Sequence, residues 1–389
     1  MRHAQSDLRG SATDISASHM TLTDPTTPIE PRFQLTLGLT YACNLACPYC
    51  YVELGSGHDL SESDANLALD LALNALPDSG RLDLGFFGGE PMLRYEAMVR
   101  ITEEADQRAL PRNIAVHPLF TTNGTRFTES RVAWLAGRGV DVTVSLDGTR
   151  EGHDRNRRTP SGEGSHRDVI EGIRMALEGG LALSVNMVVD PSNVSSLAKG
   201  VRDALDLGIR KIVISPNYAG DWEDESLDSM SRAYHQIGDT YVEEMQSSRG
   251  LAVSFVEEKI LRTLSGGTRD VEKCAFGHGE LAVDPRGRLF PCERLMRDRG
   301  GEEYVIGQLP DGIDPVRLEA LTAPRKETPE DCQGCSLSNL CSHWCPCVNL
   351  CRTGKVQEPD GLVCFIEDLS IRVTEKVVGR LRPDLVESA

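Results

Sequence analysis

No stretch of this chain offers the ~20 uninterrupted apolar residues that a membrane-spanning helix needs. Its first residues contain no apolar signal core either. Positive charge is also in deficit: 59 acidic residues stand against 41 basic ones, a formal net charge of -18. That balance argues against broad binding to a phosphate backbone, so neither a membrane nor a nucleic acid is an expected partner. Residues 1–31 are dominated by Ser, Thr, Asp and Pro and are expected to form a flexible tail. They are too short for a winged-helix peptide-binding module. What is present is ordinary for a globular protein: 40% hydrophobic and 26% charged residues over a 389-residue chain, enough to bury a core without disulfide staples. Cysteine is the exception. Of twelve, nine lie between Cys274 and Cys364. Nothing supports secretion, so a reducing, cytoplasmic setting is expected, in which thiolates serve as metal or cluster ligands rather than disulfide partners.

Residues 32–250 alternate short β-branched runs with longer helical patterns. Strands are predicted at 33–41, 82–87, 114–121, 140–146, 181–189 and 209–215, and helices at 64–76, 92–109, 127–137, 165–178, 193–206 and 226–248. This is the signature of βα units around a parallel sheet. Six units fit either a partial (β/α)6 TIM-like barrel or an open doubly wound sheet, and the residues at the strand ends decide between the two. Residues 251–273 are expected to bridge to a cysteine-rich region, 274–382, with little regular structure. In parallel α/β folds ligands collect at the C-terminal strand ends. Three distinctive segments fall there: Cys43–Cys50, Gly88–Pro91 and Ser145–Gly148.

The first segment, Cys43-Asn-Leu-Ala-Cys47-Pro-Tyr-Cys50, has the spacing C-x3-C-x2-C. Three thiolates on one loop can hold three irons of an iron–sulfur cube, leaving the fourth iron open. The motif directly after a first strand resembles the radical S-adenosylmethionine superfamily. The resemblance implies a [4Fe-4S] cluster on Cys43, Cys47 and Cys50 whose open iron chelates S-adenosylmethionine, and a barrel rather than an open sheet. It also implies that Tyr49 packs near the adenine and that Gly88-Gly89-Glu90-Pro91 holds the methionyl amine. Phe87 and the Gly88 backbone would shape that pocket, the paired glycines permit close backbone approach, and Glu90 is an acceptor for a cationic ammonium. Ser145 of the Ser-Leu-Asp-Gly segment is implied to lie at the cofactor. For Asn123 and Asp147, contact with cofactor or substrate stands beside a role in turn formation. Among the arginines of 153–158, Arg158 is preferred for the cofactor carboxylate, with Arg155 as its rival.

The second cysteine set runs Cys274, Gly287-x4-Cys292, Cys332-x2-Cys335-x5-Cys341-x3-Cys345 and Cys364. A single zinc would use four ligands, so this number calls for at least two centres. The spacing resembles the SPASM auxiliary-cluster domain of sulfatase-maturing enzymes and radical peptide maturases. That resemblance implies two further [4Fe-4S] clusters, three in all. Cys332, Cys335, Cys341 and Cys364 would hold the outer one, and Cys274, Cys292 and Cys345 the inner one. Sulfatase maturases carry another cysteine shortly before the Cys274 position, and this chain has none there. Cys347 either completes the inner cluster or leaves it an open iron, while Cys351 is either a ligand or a core thiol. Where sulfatase maturases place a catalytic aspartate, this chain has Glu293, a candidate base with a longer reach.

The implied reaction is reductive cleavage of S-adenosylmethionine, hydrogen abstraction by a 5'-deoxyadenosyl radical, and oxidation or crosslinking of a ribosomally made peptide or protein side chain. Expected partners are that substrate, a separate leader-peptide-binding protein, and a flavodoxin- or ferredoxin-like electron donor. Formylglycine formation in a sulfatase and dehydrogenation of a small alcohol or sugar are the alternative outcomes.

Overall fold

The computed structural model describes residues 31–52, 56–264, 274–326, 329–342 and 345–382. Residues 1–30 of the expected N-terminal tail and 265–273 of the expected bridge lie outside the described residues. Six parallel strands run in sequence order: β1 (Arg32–Thr40), β2 (Arg81–Gly88), β3 (Ala115–Thr122), β4 (Asp141–Ser145), β5 (Leu183–Val189) and β6 (Lys211–Pro216). Each is followed by at least one helix: α1 (Glu62–Ala75), α2 (Tyr95–Ala109), α3 (Glu129–Arg138), α4 (Arg150–Asn156), α5 (His166–Glu178), α6 (Leu197–Asp206) and α7 (Asp224–Gln246). Strand β1 is apolar and buried from Leu35 to Thr40, as expected of a strand covered on both faces. The helices start where side chains meet orphan N–H groups: Ser61 accepts from Asp64 N and Thr149 from Gly152 N. Within 251–264 the chain adds a short parallel strand, β7 (Ala252–Val253), and helix α8 (Ser254–Leu264), so this stretch extends the barrel wall.

The cysteine-rich region continues the same sheet. Strand β8 (Glu280–Val283) pairs parallel with β1, and β9 (Arg288–Phe290), β10 (Gly307–Gln308) and β11 (Gly312–Ile313) follow antiparallel, giving the order β11-β10-β9-β8-β1-β2-β3-β4-β5-β6-β7. Three helices complete it: α9 (Pro315–Thr322), α10 (Pro346–Thr353) and α11 (Gly361–Leu381). Ile366, Leu369, Val373 and Val377 of α11 join the barrel's own core. Gly238 in α7 permits that docking, since a Cβ there would stand 2.8 Å from Val373 Cγ1. The two cysteine-bearing regions are thereby fixed against each other by a continuous sheet and a shared core.

At the opposite, N-terminal end of the strands, the fully buried Asp83 receives Arg32, Arg81 (2.8 Å) and His117 (3.5 Å), and His117 reaches on to Asp141 (3.4 Å). Burial alone would raise the Asp83 carboxyl. The His117 hydrogen bond and the Arg32 and Arg81 charges outweigh it and hold the group below its ordinary 3.8. A depressed carboxylate adds stability above its unfolded value and loses it as pH falls through the lower folded value. We therefore expect Asp83→Asn to cost about 2–3 kcal/mol in urea unfolding at pH 7. The gap from wild type should shrink progressively below about pH 3.8; a gap independent of pH would refute the assignment.

Candidate functional site

The turn after β1 is clasped by the end of β2. Gly89 N donates to Thr40 O (2.7 Å) and Glu90 N to Ala42 O (2.9 Å), immediately before Cys43. Only glycine tolerates this approach. A Cβ on Gly88, whose φ is 119°, would lie 2.4 Å from Thr40 O, and one on Gly89 2.0 Å from Ala42 O. Further along, Ala46 N donates to Arg158 O (2.7 Å) and Cys50 N to Cys47 O (3.1 Å). The loop so held gathers Cys43, Cys47 and Cys50. Burial pushes the Cys43 thiol up to about 12, with Glu90, Cys47 and Cys50 adding to it. Thiols within such reach resist ionising together, and the cationic iron–sulfide core of a bound cluster would reverse that balance.

Glu90 is 1% exposed and braces two strand ends. Its Oε1 accepts from Thr122 Oγ1 (2.7 Å) and Met92 N (2.9 Å), and its Oε2 from Asn123 N (2.7 Å). Burial still raises its pKa. The single bond to Oε2 leaves acceptor capacity for an ammonium donor. Asn123 donates to Asn44 Oδ1 (2.9 Å) and lies 4.0 Å from Cys43 Sγ, tying the third strand end to the same loop. Phe87 stacks on Tyr51, the residue after Cys50, with centroids 6.0 Å apart. Ser145 closes β4, 8% exposed.

Asp147 does not cap its own turn with its side chain. It accepts from Tyr49 OH and from Val188 N (3.0 Å), and pairs with Arg157 Nη2 at 3.0 Å. Arg158, by contrast, is exposed, its Nε donating to Asp154 O; Arg155 is also exposed. The buried arginine is Arg157, 5.4 Å above the Tyr49 ring and in hydrogen-bond contact with Cys47. Burial opposes its charge, but Asp147, Tyr49 and Cys47 raise its pKa. Its Nε is buried without a hydrogen-bond partner. An orphaned guanidinium donor beside Cys47 of the three-thiol loop fits an anionic group carried by a cofactor there. The signal was present in sequence: His153, Asn156 and Arg157 are spaced i, i+3, i+4, one buried face of α4 and its end.

A second thiol group lies over the barrel. Cys345 Sγ and Cys347 Sγ are 3.6 Å apart, Cys347 contacts Cys292, and Cys274 acts electrostatically on Cys292 and with Cys345. Cys347 and Cys292 are 4% and 6% exposed, whereas Cys351 is exposed and stands 3.8 Å from Arg297 Nη2. Cys274 Sγ donates to Glu280 Oε2 (3.2 Å). Glu280, Cys292 and Glu293 each bring a ligand atom within 4.8 Å of the others, a group able to hold a metal ion. Burial first, then the charge of Glu293, raises Glu280 to about 7. Glu293 Oε2 is buried with no partner. Glu280 was not evident beforehand, because in the run Glu-Leu-Ala-Val it reads as the solvated start of a strand. A third group brings Cys332, Cys335 and Cys364 into mutual electrostatic reach. Nearby, the carbonyl of Cys341 accepts from Arg262 Nη1 (3.1 Å), and the 1%-exposed Lys259 pairs with Glu367 (2.7 Å).

Fold and site together define an incomplete parallel α/β barrel with a three-thiol loop at the mouth and two further thiol groups built onto the same sheet. Residues 37–215 match the family model described as "Radical SAM superfamily". The chain is similar to the PqqA peptide cyclase of Gluconobacter oxydans (strain 621H), 23% identical over 91% of this chain and 96% of that one. It is also similar to the mycofactocin maturase MftC of Mycobacterium ulcerans (strain Agy99), 27% identical over 82% and 83% respectively. Its fold superposes on native anSMEcpe with bound AdoMet at a TM-score of 0.73, with 16% identity and coverage of 91% of this chain and 98% of that one. Residues 37–215 are thus a radical SAM region, and fold and thiol groups together are those of a radical SAM/SPASM-type oxidoreductase. Among the described residues no helix is long and apolar enough to cross a membrane.

Proposed function

We propose that this enzyme oxidatively modifies or crosslinks a side chain of a ribosomally synthesised peptide. The single observation carrying the reading is the near full-length relation to a peptide cyclase, over 91% of this chain. Three [4Fe-4S] clusters are assigned: one on Cys43, Cys47 and Cys50, an inner auxiliary cluster on Cys274, Cys292, Cys345 and Cys347, and an outer one on Cys332, Cys335, Cys341 and Cys364. When bound, the first cluster with S-adenosylmethionine supplies the hydrogen-abstracting radical, and the auxiliary clusters supply electron acceptors. The protein's own residues do the positioning. Gly88 and Gly89 let the strand end close on the cluster loop, and Glu90 Oε2 takes the methionyl ammonium. Arg157 replaces Arg158 as the residue for the cofactor carboxylate, and Ser145 and Asn123 line the same mouth. Phe87 would help shape the methionyl pocket and Tyr49 would pack near the adenine, with Asp147 holding Tyr49 and Arg157 in place. Glu293, with Glu280 beside it, accepts the proton released when the substrate is oxidised. A leader-binding escort and a flavodoxin- or ferredoxin-like donor complete the proposed system.

Anaerobic incubation of reconstituted enzyme with S-adenosylmethionine, reductant and short precursor peptides tests this. The expected product has lost two hydrogens, with deoxyadenosine formed alongside. Unchanged peptide mass with solvent deuterium uptake would replace oxidation by epimerisation. Turnover confined to a sulfatase peptide or to a small alcohol would replace the substrate class.

A further inference from the structure

Arg157 is tied to Asp147 twice, once by its side chain and once through a chain of buried groups behind the cofactor site. The ion pair is direct, with Arg157 Nη2 at 3.0 Å from Asp147 Oδ1. The second tie runs through His153 on the buried face of α4 and Ser165 just before α5, 0% and 1% exposed. Asp147 N donates to His153 Nδ1 (3.2 Å), His153 Nε2 meets Ser165 Oγ at 2.9 Å, and Ser165 Oγ donates to Arg157 O (2.7 Å). Chemistry fixes the direction of each bond. A backbone N–H can only donate, so Nδ1 carries no proton and the imidazole is the neutral Nε2–H tautomer. Nε2 is then the donor to Ser165, whose own hydroxyl proton is left for the Arg157 carbonyl. Burial first, then the charges of Arg157 and His166, hold His153 well below its ordinary 6.5, in keeping with that neutral form. Ser165 N adds a second bond to the same carbonyl (3.3 Å), and the next one, Arg158 O, accepts from Ala46 N of the three-thiol loop (2.7 Å).

We propose that His153 and Ser165 are positioning residues for cofactor recognition. They fix the Asp147 turn and the Arg157 backbone against each other, so that the guanidinium meets Asp147 with Nη2 and still presents its partnerless Nε to the carboxylate of S-adenosylmethionine. The inference rests on the assignment of that carboxylate to Arg157 made above. A guanidinium on a long, flexible stem is aimed only when both its backbone and its counter-ion are fixed. Val188 N (3.0 Å) and Tyr49 OH set the Asp147 carboxylate, while His153 sets the Asp147 backbone. The surroundings leave the relay little room to slip. Asp154, the neighbour of His153, accepts from His166 N (2.8 Å) at the start of α5, and a Cβ on Gly164 would lie 2.2 Å from Asp154 Cγ. Helices α4 and α5 are thereby locked together around the relay.

Anaerobic equilibrium binding of S-adenosylmethionine to the reconstituted full chain, without reductant so that no turnover occurs, tests this. His153→Gln should weaken binding about ten-fold, the usual scale for losing a group that orients a ligand, and Ser165→Ala should weaken it in the same direction. Because both act through the guanidinium, neither should weaken binding further once Arg157→Gln is in place. Equal losses in the wild-type and Arg157→Gln backgrounds overturn the inference, since a merely structural role adds independently. Unchanged affinity in either single variant, with iron content intact, overturns it as well. Should His153→Gln lose its iron, Ser165→Ala decides alone by the same two comparisons. Unchanged affinity in Arg157→Gln itself overturns the carboxylate assignment, and the inference falls with it.

Discussion

Changing Cys43, Cys47 and Cys50 together to Ala is expected to reduce deoxyadenosine formation to background while leaving about two-thirds of the iron in place. The size of the effect follows from division of labour. These three thiols sit on one loop between β1 and α1, whereas the other nine cysteines are carried by residues 274–364. Cofactor cleavage needs an iron with a free coordination position, and in the proposed assignment the three-thiol loop is the set that leaves one. The loop itself should survive, because its shape is set by the Gly89–Thr40, Glu90–Ala42 and Ala46–Arg158 backbone bonds rather than by the cysteine side chains. Iron analysis, visible absorbance and chromatography of the nucleoside products measure all of this in one preparation. Retained cleavage in the triple variant would remove the assignment of this loop, and loss of all iron would show that the auxiliary region does not assemble independently of it.

The barrel was readable in the sequence because its signals are local. Alternating β-branched runs and helical periodicity placed six strands and their principal helices within a few residues, and the glycine pair and cysteine spacing marked the strand ends that carry the chemistry. What escaped was whatever depends on contacts distant in sequence. Nothing in Glu-Leu-Ala-Val announces that β8 adds parallel to β1, some 240 residues earlier, and so aims Glu280 at Cys274. Arg157 and Arg158 are neighbours of one residue type, yet α4 turns one inward to Asp147 and the other outward to solvent. A charge run does not reveal its inner face until the helix direction is known. For Cys347 and Cys351, spacing alone left both roles open, because each stands in a Cys-rich stretch without a matching partner. Burial separates them rather than helix phase: four apart on α10 they lie on one face, but the buried stretch of that helix, Pro346–Leu350, ends before Cys351, which is exposed.

That separation carries the other large expected effect. Cys347→Ala should remove about four irons per chain and with them the oxidised peptide product, whereas Cys351→Ala should retain full iron content and turnover. Coordination number sets the difference. Cys274, Cys292 and Cys345 supply three thiolates, and the usual fourth ligand before Cys274 is missing from this chain. Cys347 is the candidate for that place: its sulfur lies 3.6 Å from that of Cys345, contacts Cys292, and is only 4% exposed. Cys351 instead faces Arg297 near the surface, at 3.8 Å. Iron content should therefore divide the two variants cleanly. Deoxyadenosine formation should persist in both, because the three-thiol loop is untouched; uncoupling of cofactor cleavage from peptide oxidation in Cys347→Ala is the signature of a lost electron acceptor. Equal iron content in the two variants would mean that the inner cluster keeps an iron open to other ligands, and Cys347 would then be a buried thiol packed beside it.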